Sequence, residues 1–148
     1  MTSVLLYIHI LAAGAWIGTN VVQAVTNDRM SKESDEVAVG WLNAVVRWGT
    51  VIYAPAAVLV LVTGVWMVAI SNEVYRFESL FVVIGFGMIV IGVYFGNRIF
   101  GPLSLKAAGL RAKGDDAGQV YGRLRTFGLI DTILLLVTVA AMVGRWGA

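Results

Sequence analysis

The chain has 148 residues, of which 59% are hydrophobic and 14% are charged, and its mean hydropathy is +0.82. An ordinary soluble domain has about a quarter charged residues, so this composition excludes a soluble globular protein. Because the chain contains no cysteine, disulfide scaffolds, iron–sulfur clusters and thiolate metal sites are also excluded. The net charge of +2 gives no reason to expect nucleic-acid binding.

Four apolar runs are each long enough to cross a hydrocarbon core of about 30 Å as a helix. They predict helices over about 3–25, 35–70, 79–100 and 117–146. We therefore expect an all-α, integral membrane four-helix bundle that forms a single domain over residues 1–148. No internal repeat is evident. The first run lacks a basic segment before it and carries Asn20 and Gln23, so we interpret it as a retained helix rather than a signal peptide.

The distribution of basic residues predicts the orientation of the bundle. Nine of the eleven Lys and Arg residues lie in the first and third connections or at the helix ends beside them, whereas Arg76 and Arg145 lie on the other side. Since cytoplasmic loops are enriched in Lys and Arg, we expect both termini to be outside, in a bacterial plasma (inner) membrane. Both cytoplasmic connections are expected to contain amphipathic helical extensions, and Gly101-Pro102 predicts a break or kink after the third helix.

Helix 1 is the most informative segment, because its polar and bulky residues share one face. At about 100° per residue, four of them fall within a sector of roughly 60°. These residues are His9, Trp16, Asn20 and Gln23. Polar side chains are costly against lipid, so this face is predicted to turn toward the bundle interior.

Two pairs of glycines have the small-xxx-small spacing that allows helices to approach closely. Gly14 and Gly18 lie on the opposite face of helix 1, and Gly92 and Gly96 lie in helix 3. Either pair serves packing within the bundle or forms the seam of a homodimer or a larger membrane complex.

His9 is the only histidine, and we place it roughly 7–8 Å on the outer side of the bilayer centre. Met67 and Met142 are expected about 9–10 Å outward of the centre, at nearly the same level. Imidazole and thioether ligands suit copper(I) or a b-type haem, and Trp16 would then pack on a porphyrin edge. The alternative is that His9 hydrogen-bonds a neighbour, Trp16 packs on another helix, and the two methionines fill core gaps.

Asp131 is a second residue that is unfavourable to place in a membrane, and we expect it roughly 7–8 Å to the cytoplasmic side of the bilayer centre. Residues at similar depth predict a buried polar cluster around it. The members are Asn20, Tyr53, Asn97, Arg98 and Asp131. An ion pair between Asp131 and Arg98, assisted by Asn20, would have a structural role. The alternative is a proton or cation relay through Asp131.

The segment from His9 to Gly18 has the form His-x6-Trp-x-Gly in a first transmembrane helix. This pattern resembles the copper-resistance D (CopD-type) membrane proteins and a related group of small four-helix membrane proteins, and it is similar to HemJ-type protoporphyrinogen oxidases, which bind haem b. The resemblance implies a haem or copper site at His9 with Trp16 beside it. The HemJ-type Leu-Pro-Arg stretch after the tryptophan is replaced here, so that oxidase activity is not expected. With one histidine, a bis-His haem within one protomer is impossible.

The expected function is therefore the binding of haem b or copper for electron transfer, sensing or metal handling. Hydrolase and nucleotide motifs are missing: there is no nucleophile–histidine–acid order, HExxH, Walker loop or dinucleotide fingerprint. No catalytic residue is predicted. Two alternatives stay open, namely a cofactor-free accessory subunit of a respiratory or photosynthetic membrane complex and, less favoured, a proton-coupled carrier that uses Asp131.

Overall fold

A computed structural model of the protein describes residues 2–71 and 76–147, and within these residues the regular structure is entirely helical. The α-helices are α1 (Thr2–Met30), α2 (Asp35–Trp48), α3 (Ala54–Ala69), α4 (Leu80–Phe95), α5 (Gly101–Arg111) and α6 (Gly118–Gly144). One π-helical turn (Gly49–Tyr53) joins α2 to α3, and a second (Gly96–Phe100) joins α4 to α5.

Four continuous helical segments are long and apolar enough to cross a membrane. They are Ser3–Met30, Asp35–Ala69, Leu80–Arg111 and Gly118–Gly144. Large apolar side chains are exposed on each of them, including Val25, Val58, Val90 and Val143. Such a surface suits contact with lipid. The prediction of an all-α chain with four apolar helices long enough to span a membrane is confirmed for the described residues, although α1 extends further than expected, to Met30.

The helices pack in the order α3, α1, α6, α4. Helix α1 packs most extensively against α3 and also against α6, and α6 packs against α4. The central core lies where these helices meet. Its buried members are Trp16, Ala56, Ala57, Met88 and Leu135. The predicted inward face of α1 is therefore the face that points into the core, since Trp16 and Asn20 are both buried.

A second layer lies at the end of the bundle that carries the connections α1–α2 and α5–α6, which we name the basic end. Here α2 packs against α5, and the start of α6 packs against α5 as well. Their shared core consists of Leu42, Ala107, Ala108, Ala117, Val120 and Leu124. Arg111 Nε lies 2.9 Å from Asp35 Oδ1 and links the two helices. The predicted amphipathic extensions are thus α2 and α5, packed against each other.

The two π-helical turns explain how two prolines are accommodated inside long helices. Ala54 N–H donates to Gly49 O, and Gly101 N–H donates to Gly96 O, each across five residues. A proline lacks an N–H and clashes with the preceding turn, and the wider π turn just before Pro55 and Pro102 removes that conflict. Of the break or kink predicted at Gly101-Pro102, the break is wrong, because the helix continues to Arg111.

Both π turns have the sequence pattern Gly-x-x-Ile-aromatic-small-Pro. It occurs over residues 49–55 as GTVIYAP and over residues 96–102 as GNRIFGP. Both copies lie at the junction between the bundle and the basic end, in helices that run in opposite directions. This short repeat was not recognised in the sequence.

At the opposite end of the bundle, which we name the terminal end, lie the start of α1, the end of α3, the start of α4 and the end of α6. Phe81 N–H donates to Trp146 O over 3.0 Å, which ties the end of the chain to the start of α4. Phe81, Val82 and Ala141 form a small core beneath this contact.

Candidate functional site

The His9 side chain is directed at α3. Its Nδ1 atom lies 2.9 Å from Thr63 Oγ1, and a Cβ atom on Gly64 would lie 3.4 Å from His9 Cε1. Thr63 is buried, whereas His9 is half-buried. The glycine therefore allows the imidazole ring to lie directly against the α3 backbone, where Thr63 sets its orientation.

The hydrogen bonds of Thr63 determine which nitrogen of His9 carries the proton. The Thr63 hydroxyl has one proton, and it donates to Leu59 O over 2.5 Å, the usual bond of a helical threonine. The same hydroxyl must then accept a hydrogen bond from His9 Nδ1–H. An imidazole that donates from Nδ1 to Thr63 carries its lone pair on Nε2. Histidines that bind metals are commonly held in this way, with the second ring nitrogen donating to an oxygen.

The two predicted methionine ligands lie in different places relative to His9. Met67 is half-buried on α3, one helical turn beyond Thr63 and on the same face. The Met142 side chain is directed instead at α4, where its Cε methyl would meet a Cβ atom on Gly85. The structure therefore places Met67, rather than Met142, on the helix face that His9 contacts.

Trp16 lies in the core between α1 and α4. Its indole ring covers Gly92, where a Cβ atom would overlap Cζ2 and Cη2 of the ring. It also meets the Tyr53 ring edge to face, with centroids 6.3 Å apart. Two roles were predicted for Trp16, contact with a porphyrin edge and packing against another helix. In the structure Trp16 packs against α4. The space beside Gly92 is therefore filled by Trp16 of the same chain, whereas a Cβ atom on Gly96 would meet nothing within 4 Å.

Asp131 on α6 is buried, with 4% of its surface exposed. Asn20 Nδ2 of α1 donates a hydrogen bond to Asp131 Oδ2, and the same amide accepts one at Oδ1 from Thr132 Oγ1 over 3.1 Å. Among the described residues, Asp131 Oδ1 has no hydrogen-bond partner. Two members of the predicted polar cluster, Asn20 and Asp131, are thus brought together in the interior.

Two further members of the predicted cluster lie at the surface. Asn97 and Arg98 are exposed on the second π turn, and among the described residues no ion pair joins Arg98 to Asp131. The predicted pair is therefore wrong, because a long arginine near a helix end can keep its charge at the surface while a buried charge must be dehydrated. Tyr53 turns inward and donates to Gln23 Oε1 over 3.0 Å.

Three polar residues of the interior were missed in the sequence. Thr63 and Thr132 are threonines within apolar runs, a placement that carries little signal because threonine readily bonds its own helix. Asn27 could have been found, since it lies five helical turns after His9 on the same face of α1. Its Oδ1 atom accepts a hydrogen bond from Trp41 Nε1 over 2.7 Å.

No family model, curated protein or solved structure matches this chain. The function is therefore inferred from the side chains described above. Their chemistry offers two separate centres, an oriented imidazole at His9 near the terminal end and a buried carboxyl at Asp131 nearer the basic end.

Proposed function

We propose that this protein is an integral membrane protein that binds a haem b iron or a copper ion through His9 Nε2 and serves electron transfer, sensing or metal handling. The observation that supports the proposal is the 2.9 Å contact between His9 Nδ1 and Thr63 Oγ1, which leaves Nε2 as the ring nitrogen available to a metal. A fixed imidazole with a free lone pair is the form that binds either metal.

The residues around His9 fit both candidate groups. A single imidazole with a thioether is a ligand set for copper(I), and His9 with Met67 would equally hold a haem iron. Either group supplies one-electron redox chemistry when bound. The protein's own contribution is to hold the ring through Thr63 and to keep it against the glycine at position 64, so that ligand orientation is set before the metal arrives.

Met67 is the second ligand in this proposal. It follows Thr63 by one turn on α3 and shares its face, whereas Met142 is packed toward Gly85 of α4. The chain thus contains its own control, a methionine of similar predicted depth on a different helix.

The test uses purified protein in detergent, titrated separately with haem and with copper(I), with absorption and bound-metal content as readouts. His9→Ala should abolish binding, while the helical content stays unchanged. Thr63→Val should weaken binding by about 10- to 100-fold, the usual effect of removing a group that orients a ligand. Thr138→Val is the matched control, because Thr138 also bonds its own helix, at Leu134 O over 2.8 Å.

The methionines complete the design. Met67→Leu conserves volume and should shift the spectrum or weaken binding, whereas Met142→Leu should change neither. If His9→Ala keeps the full complement of the bound group with an unchanged spectrum, the proposal is wrong. Equal effects of the two threonine variants would show that Thr63 does not orient the ligand.

We also propose that the basic end is cytoplasmic and that both termini lie outside, in a bacterial inner membrane. Nine of the eleven Lys and Arg residues lie at or beside the basic end, which is the distribution that orients membrane proteins. His9 would then lie in the outer half of the bundle.

A second candidate function, a cofactor-free subunit that packs against another membrane chain, is favoured by one surface. Gly14 and Gly18 would each meet nothing within 4 Å if a Cβ atom were added, so neither is used inside the bundle. Both line an open groove of about 400 Å³ that is flanked by Trp48 and Ile52. A helix of a second copy, or of a larger complex, can approach closely along this face.

A further inference from the structure

The buried carboxyl of Asp131 has no counter-charge among the residues that the structure describes. Its exposed fraction is 4%, and the ion pairs among the described residues all lie elsewhere on the surface. The arginine at similar depth, Arg98, is exposed. An ionised carboxylate in this interior would therefore be dehydrated without compensation, which is the costliest arrangement for a polar group.

The hydrogen bonds around Asp131 lead to the same conclusion. The Thr132 hydroxyl has one proton and lies 2.8 Å from Gly128 O and 3.1 Å from Asn20 Oδ1, so it donates to only one of these two acceptors. With the Asn20 NH2 group toward Asp131, that amide donates to Asp131 Oδ2, and Asp131 Oδ1 has no partner in the described part of the chain. One neutral donor does not stabilise a full negative charge, whereas it suffices for a neutral carboxylic acid. With the amide turned over, Asn20 presents an oxygen, and Asp131 must be protonated to donate to it.

A metal cation does not fit this position. Calcium takes six to eight oxygen ligands and magnesium takes six. The side chains of Asp131, Asn20 and Thr132 carry four oxygens in all, fewer than either ion takes, and no group of three or more acidic, His or Cys residues occurs in the described ranges. The unpartnered oxygen therefore suits a proton better than a metal ion.

The surroundings of Asp131 differ between its two sides. Toward the basic end, α1 presents an amide at each turn, and we name this set the amide stripe: Asn20, Gln23 and Asn27. Asn20 is hydrogen-bonded to Asp131, Gln23 to Tyr53, and Asn27 to Trp41. Toward the terminal end, the core of Trp16, Met88 and Leu135 is apolar. Polar side chains of α1 thus extend from Asp131 toward the basic end, whereas its neighbours in the central core are apolar.

From this geometry we propose that Asp131 is a proton-binding site in the membrane, held as a neutral carboxylic acid and exchanging its proton with the basic end along the amide stripe. The site is separate from His9 and does not depend on the proposed cofactor. The ligand is the proton itself, bound at the Asp131 carboxyl.

The experiment uses dicyclohexylcarbodiimide, an apolar reagent that adds to protonated carboxyls in membranes, with mass spectrometry of the full-length protein in vesicles. We expect one adduct, mapped to Asp131, and a loss of labelling as the pH rises. Asp131→Asn should lose the adduct, whereas Asp28→Asn, at an exposed carboxyl paired with Lys32, should keep it. His9→Ala should be labelled like the wild type, so failure of the cofactor proposal leaves this result unaffected.

Vesicles in which trypsin cleaves at Lys113 from outside have the basic end facing the medium. In these vesicles, labelling should follow the external pH at constant internal pH. Folded wild-type protein that gives no Asp131 adduct, or an adduct insensitive to pH, would overturn the proposal. Labelling that follows only the internal pH would overturn the route, and protection by sodium at constant pH would identify a cation site instead of a proton site.

Discussion

Gly92→Ala tests the packing of Trp16 that positions the inward face of α1. The added methyl group would overlap Cζ2 and Cη2 of the indole ring. Trp16 cannot move aside easily, because it is 7% exposed and its other contacts are Tyr53 and the central core. Overpacking of this kind costs about 1–3 kcal/mol of unfolding free energy. At about 2–4 °C per kcal/mol for a chain of this size, the Tm should fall by roughly 2–12 °C.

The assay is thermal unfolding in detergent, followed by circular dichroism. Gly87→Ala on the same helix is the control, because its methyl group would meet nothing within 4 Å and Ala favours the helix by up to about 1 kcal/mol. Trp16→Phe removes the overlapping ring atoms, so adding Gly92→Ala in that background should cost much less than it does alone. Equal Tm values for Gly92→Ala and Gly87→Ala would refute the placement of Trp16 against Gly92.

Two further predictions concern orientation and association. In intact cells, cysteine at Lys113 should resist a membrane-impermeant thiol reagent while cysteine at Glu78 should react, and the reverse pattern would place the basic end outside. If the groove along Gly14 and Gly18 binds a second copy, Gly18→Leu should convert the purified protein to monomers by light scattering, whereas Gly87→Leu should not. An unchanged mass for Gly18→Leu would exclude this seam.

The inward face of α1 could be predicted because helical periodicity determines which residues share a face. Trp16 and Asn20 are buried as expected, and Gln23 bonds Tyr53 across the bundle. Lateral neighbours could not be predicted, since depth along a helix does not specify which way its side chains face. Arg98 matched Asp131 in depth, but it lies on an exposed surface.

The π turns are a feature of the backbone that the sequence did not predict. Pro102 after glycine is typical of a helix break, and the compensation lies in backbone geometry, in the bond from Gly101 N–H to Gly96 O. Two copies of one pattern at equivalent positions would have indicated a shared backbone solution. Thr63 was missed for another reason. Its functional role comes from its contact with the His9 imidazole of α1, which the sequence of α3 alone does not reveal.

The central claim is that His9 holds a redox-active metal group. The most direct measurement is a reduced-minus-oxidised absorption spectrum of the protein purified from its native membrane, with metal analysis of the same sample. The account predicts either a b-type haem band or bound copper without that band, at about one metal per chain, and its loss in His9→Ala. Colourless, metal-free wild-type protein that co-purifies with larger membrane subunits would contradict the claim and support the accessory function.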